Sequence, residues 1–178
     1  MTMQTYKAAL IGCSRMGAFI DNEVPPSMRP YSHAAGYEAC DRTDLIACAD
    51  LRPDVMAQVG SRYGIAADRQ YTDYRELLER EKPDIVSIAT QPEHRTDIIV
   101  AAADAGTRAI YAEKALSASM AEADRIVEVC QAHSVALNMG TNRRFDPGYD
   151  QMKAVIDSGQ IGALKTLIIH QTSNLFNG

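Results

Sequence analysis

The residues of this chain that could do chemistry stand directly after short apolar runs. "GCSRMG", residues 12–17, follows the run 7–11, and Asp50 follows 45–49. Thr90-Gln91-Pro92 follows 84–89, Glu113-Lys114 follows 109–112, and Gly140-Thr141-Asn142 follows 135–139. The glycine stretch nearly spells three motifs. A P-loop needs a lysine and a hydroxyl after its closing glycine, but Gly17 is followed by Ala18 and Phe19. A nucleophile elbow needs glycine where Met16 stands, and Gly17 falls one residue late. A dinucleotide fingerprint, G-x-G-x-x-G, keeps its first and third glycines at Gly12 and Gly17. It places Ser14 where the middle glycine lets the backbone approach a pyrophosphate, and a serine hydroxyl can donate to phosphate. Glycine spacing alone also fits a purely structural strand-to-helix turn.

Asp50 favours the dinucleotide reading. An acid at the end of the second strand can bind both ribose hydroxyls of NAD and repels the 2′-phosphate of NADP. It lies 38 positions after Gly12, where about 20 is usual. The excess is the segment 21–32, "DNEVPPSMRPYS", whose three prolines exclude regular helix and read as an inserted surface loop. Arg52 stands two residues further on and can accept a 2′-phosphate, so NAD is expected with NADP left open.

Glu113-Lys114 is the second charged pair at a strand end. A lysine beside a nicotinamide can bind a substrate hydroxyl and help move its proton, the more readily when buried. From spacing alone a surface ion pair of little energetic worth is the simpler reading. His94, just inside a helix opened by Pro92, fits packing or capping as well as cofactor contact. His33 and His133 read as helix-surface residues, and the role of His170 cannot be read.

Six strands must position these residues. After the glycine turn a short helix begins near Arg15, and "HAAGYEAC" is helix-compatible. Residues 53–63 suit a helix with proline in its first turn and Gly64 as its stop. A short strand at 70–71 precedes a helix over 73–80. Pro92 opens a helix that stops at Gly106, and Ser119-x-x-Glu122 is a capping box for the next. Asp146-Pro147 starts a last helix ending at Ser158-Gly159. The strands are continuous apolar runs alternating with helices, which predicts an α/β fold: a Rossmann-type, doubly wound parallel sheet covered on both faces. In such a sheet, ligands bind beyond the carboxyl ends of the strands, where these residues fall. Residues 163–171, "ALKTLIIHQ", read as one further strand without a partner, the start of a second, truncated α/β domain. The expected division is 1–142 for the dinucleotide-binding domain and 143–178 for the connecting helix and that start.

A net charge of -5 and pI near 5.3 argue against nucleic acid or an acidic membrane as partner. The four cysteines form no C-x-x-C pair and read as reduced thiols of a cytoplasmic protein. The scattered histidines show no metal site. No apolar stretch approaches the length of a membrane span, and the N-terminus lacks a signal-peptide pattern.

Taken together, the glycine turn, Asp50, "ATQPEH", "YAEKAL" and "NRRFDPGY…IDSGQIG" resemble the glucose–fructose oxidoreductase and inositol dehydrogenase family, Gfo/Idh/MocA. The resemblance implies an N-terminal Rossmann domain and a C-terminal α/β domain with a large, mostly antiparallel sheet. It implies oxidation of a sugar or cyclitol hydroxyl, or reduction of the ketone, with NAD or NADP, and assembly of copies through the second domain. The family's E-K-P lysine maps to Lys114, the catalytic candidate, and its ribose-binding acid to Asp50. The implied cofactor contacts are Gly12, Ser14, Arg15, Met16, Gly17, Asp50, Thr90, Pro92, His94, Glu113 and Asn142. Ser14 departs from the middle glycine, and Ala115 from the proline of E-K-P. The family's catalytic histidine and a nearby aspartate would fall beyond Gly178, so the 178 residues alone are expected to turn over negligibly. Two alternatives remain: a non-catalytic dinucleotide-binding sensor or interaction module, and a glycoside hydrolase acting through transient NAD oxidation, as in some relatives.

Overall fold

β1 (Tyr6–Ile11) sits mid-sheet because every residue from Ala8 to Ile11 is apolar and buried. A computed structural model describes residues 4–170 and places β1 between β2 (Thr43–Ala49) and β4 (Ile85–Ile88). With β3 (Gln70–Tyr71), β5 (Ala109–Ala112) and β6 (Ala136–Met139) they form one parallel sheet in the order β3-β2-β1-β4-β5-β6. That is the doubly wound order, with its reversal between β1 and β4. The register aligns the strand ends. Ile11 lies opposite Ala49 and Ile88, Ile88 opposite Ala112, and Ala112 opposite Met139. The ladder runs one residue further, through the N–H groups of Gly12, Ala89, Glu113 and Gly140 at 2.7–2.9 Å. The expected chemistry-bearing residues therefore leave the sheet in one row.

Helices cover both faces. Alternation along the strands sends Leu10 and Cys48 to one face, where they pack with Ala34 of α1 (His33–Glu38) and Met56 and Val59 of α2 (Pro53–Tyr63). Ile11, Ala49, Ile88 and Ala112 face the other way, against Leu77 of α3 (Tyr74–Glu81), Ile99 of α4 (Pro92–Asp104) and Ile126 of α5 (Met120–Ala132). Each leucine, isoleucine, valine or methionine among them contributes roughly 1.5–3 kcal/mol on burial. The helix limits follow the local signals. Pro53 and Pro92 open helices, Gly64 closes α2 at φ +71°, and the Asp73 carboxylate accepts the Arg75 N–H at the start of α3. The Ser119 hydroxyl accepts the Glu122 N–H, while the Glu122 carboxylate reaches Ala118 N–H, one residue before the expected partner.

Three features differ from expectation. The helix near Arg15 is a single π-type turn, Arg15–Phe19, continued by a 3-10 turn, Ile20–Asn22. The segment 21–32 is not a surface loop throughout, since Asp21 and Ser32 are buried and Pro26–Met28 forms a 3-10 turn. The Asp21 carboxylate accepts the N–H groups of Tyr31 and Ser32 at 2.8 and 2.9 Å and closes the insert on itself. Residues 163–170 form no strand and lie exposed, because a strand needs a neighbour to complete its ladder; Gln171 lies outside the described residues.

The chain divides into two compact units, Met1–Gly140 and Thr141–Gly178. The second carries a 3-10 turn, Asn142–Phe145, and α6 (Pro147–Asp157), whose first turn is capped by the Asp146 carboxylate on Gly148 N–H at 2.7 Å. Met152 and Val155 of α6 and the apolar residues between Leu164 and Ile169 are exposed.

Candidate functional site

The turn after β1 is as tight as the chain allows. Gly12 has φ +92°, and a Cβ there would sit 2.8–3.0 Å from the main chain of Ala89 and Thr90. A Cβ on Gly17 would meet the Gly12 carbonyl oxygen at 2.1 Å. The two glycines thus press the helical turn against the strand end. N–H groups in the first turn of a helix have no partner inside it. Among the described residues the amides of Arg15, Met16 and Gly17 have no other acceptor. Ser14 needs no such freedom, with φ -81°.

Asp50 binds this turn from the side. Its Oδ2 accepts the Cys13 N–H at 2.8 Å, and its Oδ1 accepts the Arg52 N–H at 3.0 Å and Nε at 3.4 Å. A carboxylate offers about four acceptor sites, so capacity remains. Beneath the turn, the hydrogen bond with Cys48, and then burial, push the Cys13 thiol upward. It therefore remains a packed thiol.

Between these features runs a cleft of about 630 Å³, within the range of small-molecule sites, about 300–1,000 Å³. Gly12, Ser14, Asp50, Thr90 and His94 line it, together with Leu51, Arg52, Tyr74 and Arg75. The Arg75 guanidinium stacks 4.5 Å over the Tyr74 ring at one wall. His94 is exposed in the first turn of α4.

Beyond β4 and β5 the side chains are buried and charged. Glu113 Oε1 lies 3.3 Å from His33 Nε2, and Glu113 Oε2 accepts the Lys114 N–H. Burial alone would raise the Glu113 carboxyl. The hydrogen bond and charge of His33, with the N–H and charge of Lys114, outweigh it and hold the carboxyl below the usual carboxylate range. The His33 ring also lies 4.9 Å from Tyr111. His33 is therefore a core residue, not a surface one, because the Asp21-pinned insert delivers the start of α1 under the sheet's carboxyl edge. The Ser32 hydroxyl caps that start on Ala35 N–H. His133 is exposed, as read from the sequence, and the structure pairs it with Asp104.

Arg95, one residue past His94, is 1% exposed. Its Nη1 donates to the carbonyls of Glu113 and Ala115, and its Nη2 to that of Thr90. Burial lowers its pKa, opposed by the charges of Glu113 and Glu93.

The remaining candidates fall elsewhere. The Arg15 side chain points away into an ion pair with Glu23 at 2.8 Å, Met16 is half-buried, and Gly17 is buried under the turn. Pro92 opens α4 without lining the cleft, and Glu113 turns inward. Lys114 is exposed, and its peptide with Ala115 is cis. The Asn142 side chain lies outside the described residues. Sequence reasoning missed His33 and Arg95. For Arg95 a signal existed: with Ile98, Ile99, Ala102 and Ala103 it shares the buried stripe of α4 at helical spacing. His33 had none beyond its place next to a capping serine.

Comparison with known proteins agrees with this geometry. The family model described as an oxidoreductase family with an NAD-binding Rossmann fold matches residues 6–141. A myo-inositol 2-dehydrogenase of Thermotoga maritima is 30% identical over 130 residues, 73% of this chain and 38% of that protein. A D-apiose dehydrogenase of Paraburkholderia graminis is 30% identical over 162 residues, 90% of this chain and 39% of that protein. The chain thus spans about two fifths of the length of these relatives. A scyllo-inositol dehydrogenase from Lactobacillus casei, solved with NAD(H) and scyllo-inositol, matches with a TM-score of 0.76. That match covers 89% of this chain and 43% of the other at 21% identity, a likeness of fold.

Proposed function

The chain belongs to the Gfo/Idh/MocA oxidoreductases, built on an NAD-binding Rossmann fold. On that premise we propose that it forms the cofactor half of a dehydrogenase for a sugar, cyclitol or similar polyol. The observation that carries the reading is the cleft itself. One glycine turn, whose amides have no other acceptor among the described residues, meets one strand-end carboxylate in a cleft beside the point where the strand order reverses.

The residues fit the cofactor. The amides of Arg15, Met16 and Gly17 face a pyrophosphate at the start of the turn, so these residues act through their main chain. Asp50 keeps acceptor capacity for the adenosine ribose, and Leu51, 84% exposed at the cleft, offers an apolar face to the adenine. Thr90 and His94 border the nicotinamide side. A nicotinamide held there would supply hydride transfer at its C4. In the whole protein Lys114, exposed beside the β5 end, orients the substrate hydroxyl and shares its proton. The relatives reported above are dehydrogenases, which leaves the sensor and hydrolase alternatives without support.

Titration of NADH and NADPH into the chain, followed by nicotinamide fluorescence, tests the reading without interference from tryptophan, of which there is none. Saturable NADH binding is expected, with weaker NADPH binding. A folded sample that saturates with neither overturns it.

A further inference from the structure

The main chain just after a parallel strand has no ladder neighbour for all its carbonyls, and a side chain or water must supply the missing donors. After β4 and β5 one side chain does so for both. The Arg95 fork donates to the Thr90 carbonyl on one loop and to the Glu113 and Ala115 carbonyls on the other. A guanidinium is planar, always charged and carries five donors in fixed directions, so it sets the angle between two loops as a lysine cannot. Ala115 lacks the ring that would restrain the backbone after Lys114.

We propose that Arg95 is a positioning residue for the nicotinamide half of the cleft, locking the Thr90 loop to the Glu113–Ala115 loop and so setting Lys114. It touches no ligand, being buried, and acts only through those two segments. The Gly12 turn and Asp50 receive no bond from it. This inference rests on the cofactor reading above, and it predicts that Arg95 matters for one end of the dinucleotide and not the other.

The test compares NADH with ADP-ribose, which lacks the nicotinamide, on the 178-residue chain by calorimetry. Arg95→Met should weaken NADH by about tenfold, the worth of one charge-assisted hydrogen bond, while ADP-ribose stays within about twofold. Equal losses for both ligands would reduce Arg95 to a general stabiliser and overturn the proposal. So would unchanged NADH affinity. If Arg95→Met does not fold, Arg95→Lys decides by the same ratio, with a selective loss of about threefold expected from one surviving contact. Wild-type chain that binds ADP-ribose but not NADH sinks this inference and spares the adenosine half; wild-type chain that binds neither sinks the cofactor reading as well.

Discussion

On the β2 side of the cleft a side chain is held by the main chain: N–H groups of Cys13 and Arg52 fix the Asp50 carboxylate. On the β4 and β5 side the relation is inverted, and the main chain is held by a side chain, the buried fork of Arg95. The first arrangement uses donors supplied by any residue type and tolerates change around it. The second depends on one residue type at one position, and one of the residues it holds, Glu113, is bound in turn to His33. The same sheet edge thus offers one half insensitive to its neighbours and one half that their packing decides.

The largest effect should come from the position that both halves share. Gly12→Ala places a methyl against the Ala89 and Thr90 main chain at an unfavourable φ. It should cost about 3 kcal/mol of stability, measured by denaturant unfolding. Both NADH and ADP-ribose should lose affinity; a loss confined to one would show that the halves do not share this hinge. Asp50→Ala should come next, acting on the β2 side alone. It should weaken NADH by about tenfold and NADPH less, because the carboxylate disfavours a 2′-phosphate. Equal losses in parallel titrations would remove Asp50 from ribose contact.

The smallest effect probes the β4 and β5 side through pH. The Glu113 carboxyl is held below its ordinary value of 4.5. Its stabilisation is complete above that value and is lost as pH falls through the lower folded-state value. Thermal melts of wild-type chain should therefore decline below about pH 4.5, and Glu113→Gln should flatten part of that decline. Asp21, likewise lowered because the Ser32 and Tyr31 donors outweigh its burial, keeps the rest. An unchanged acid profile in Glu113→Gln would mean that the His33 contact contributes nothing to folding.

The two halves also differed in how far they could be read in advance. Strand runs, Pro53, Pro92, Gly64 and Ser119 mark their elements through local geometry, and local geometry is written in neighbouring residues. Asp50 was legible for the same reason: a strand end places it, whatever lies between. Glu113 and Lys114 were located at their strand end, but spacing did not tell that Glu113 turns inward to His33 while Lys114 stays exposed. The run 163–170 has strand composition and forms none, because a ladder is a property of two segments.

Local pattern alone therefore set the fold class, the order of elements and the row of residues at the strand ends, because helical and strand periods are short-range. Tertiary structure alone decided what those residues do there. It turned Glu113 inward to a histidine 80 positions away, and it sent a buried arginine to carbonyls on two loops. Those choices give a buried carboxylate and strand-end main-chain carbonyls their donors, and both are demands of the packed molecule that no short stretch of sequence contains.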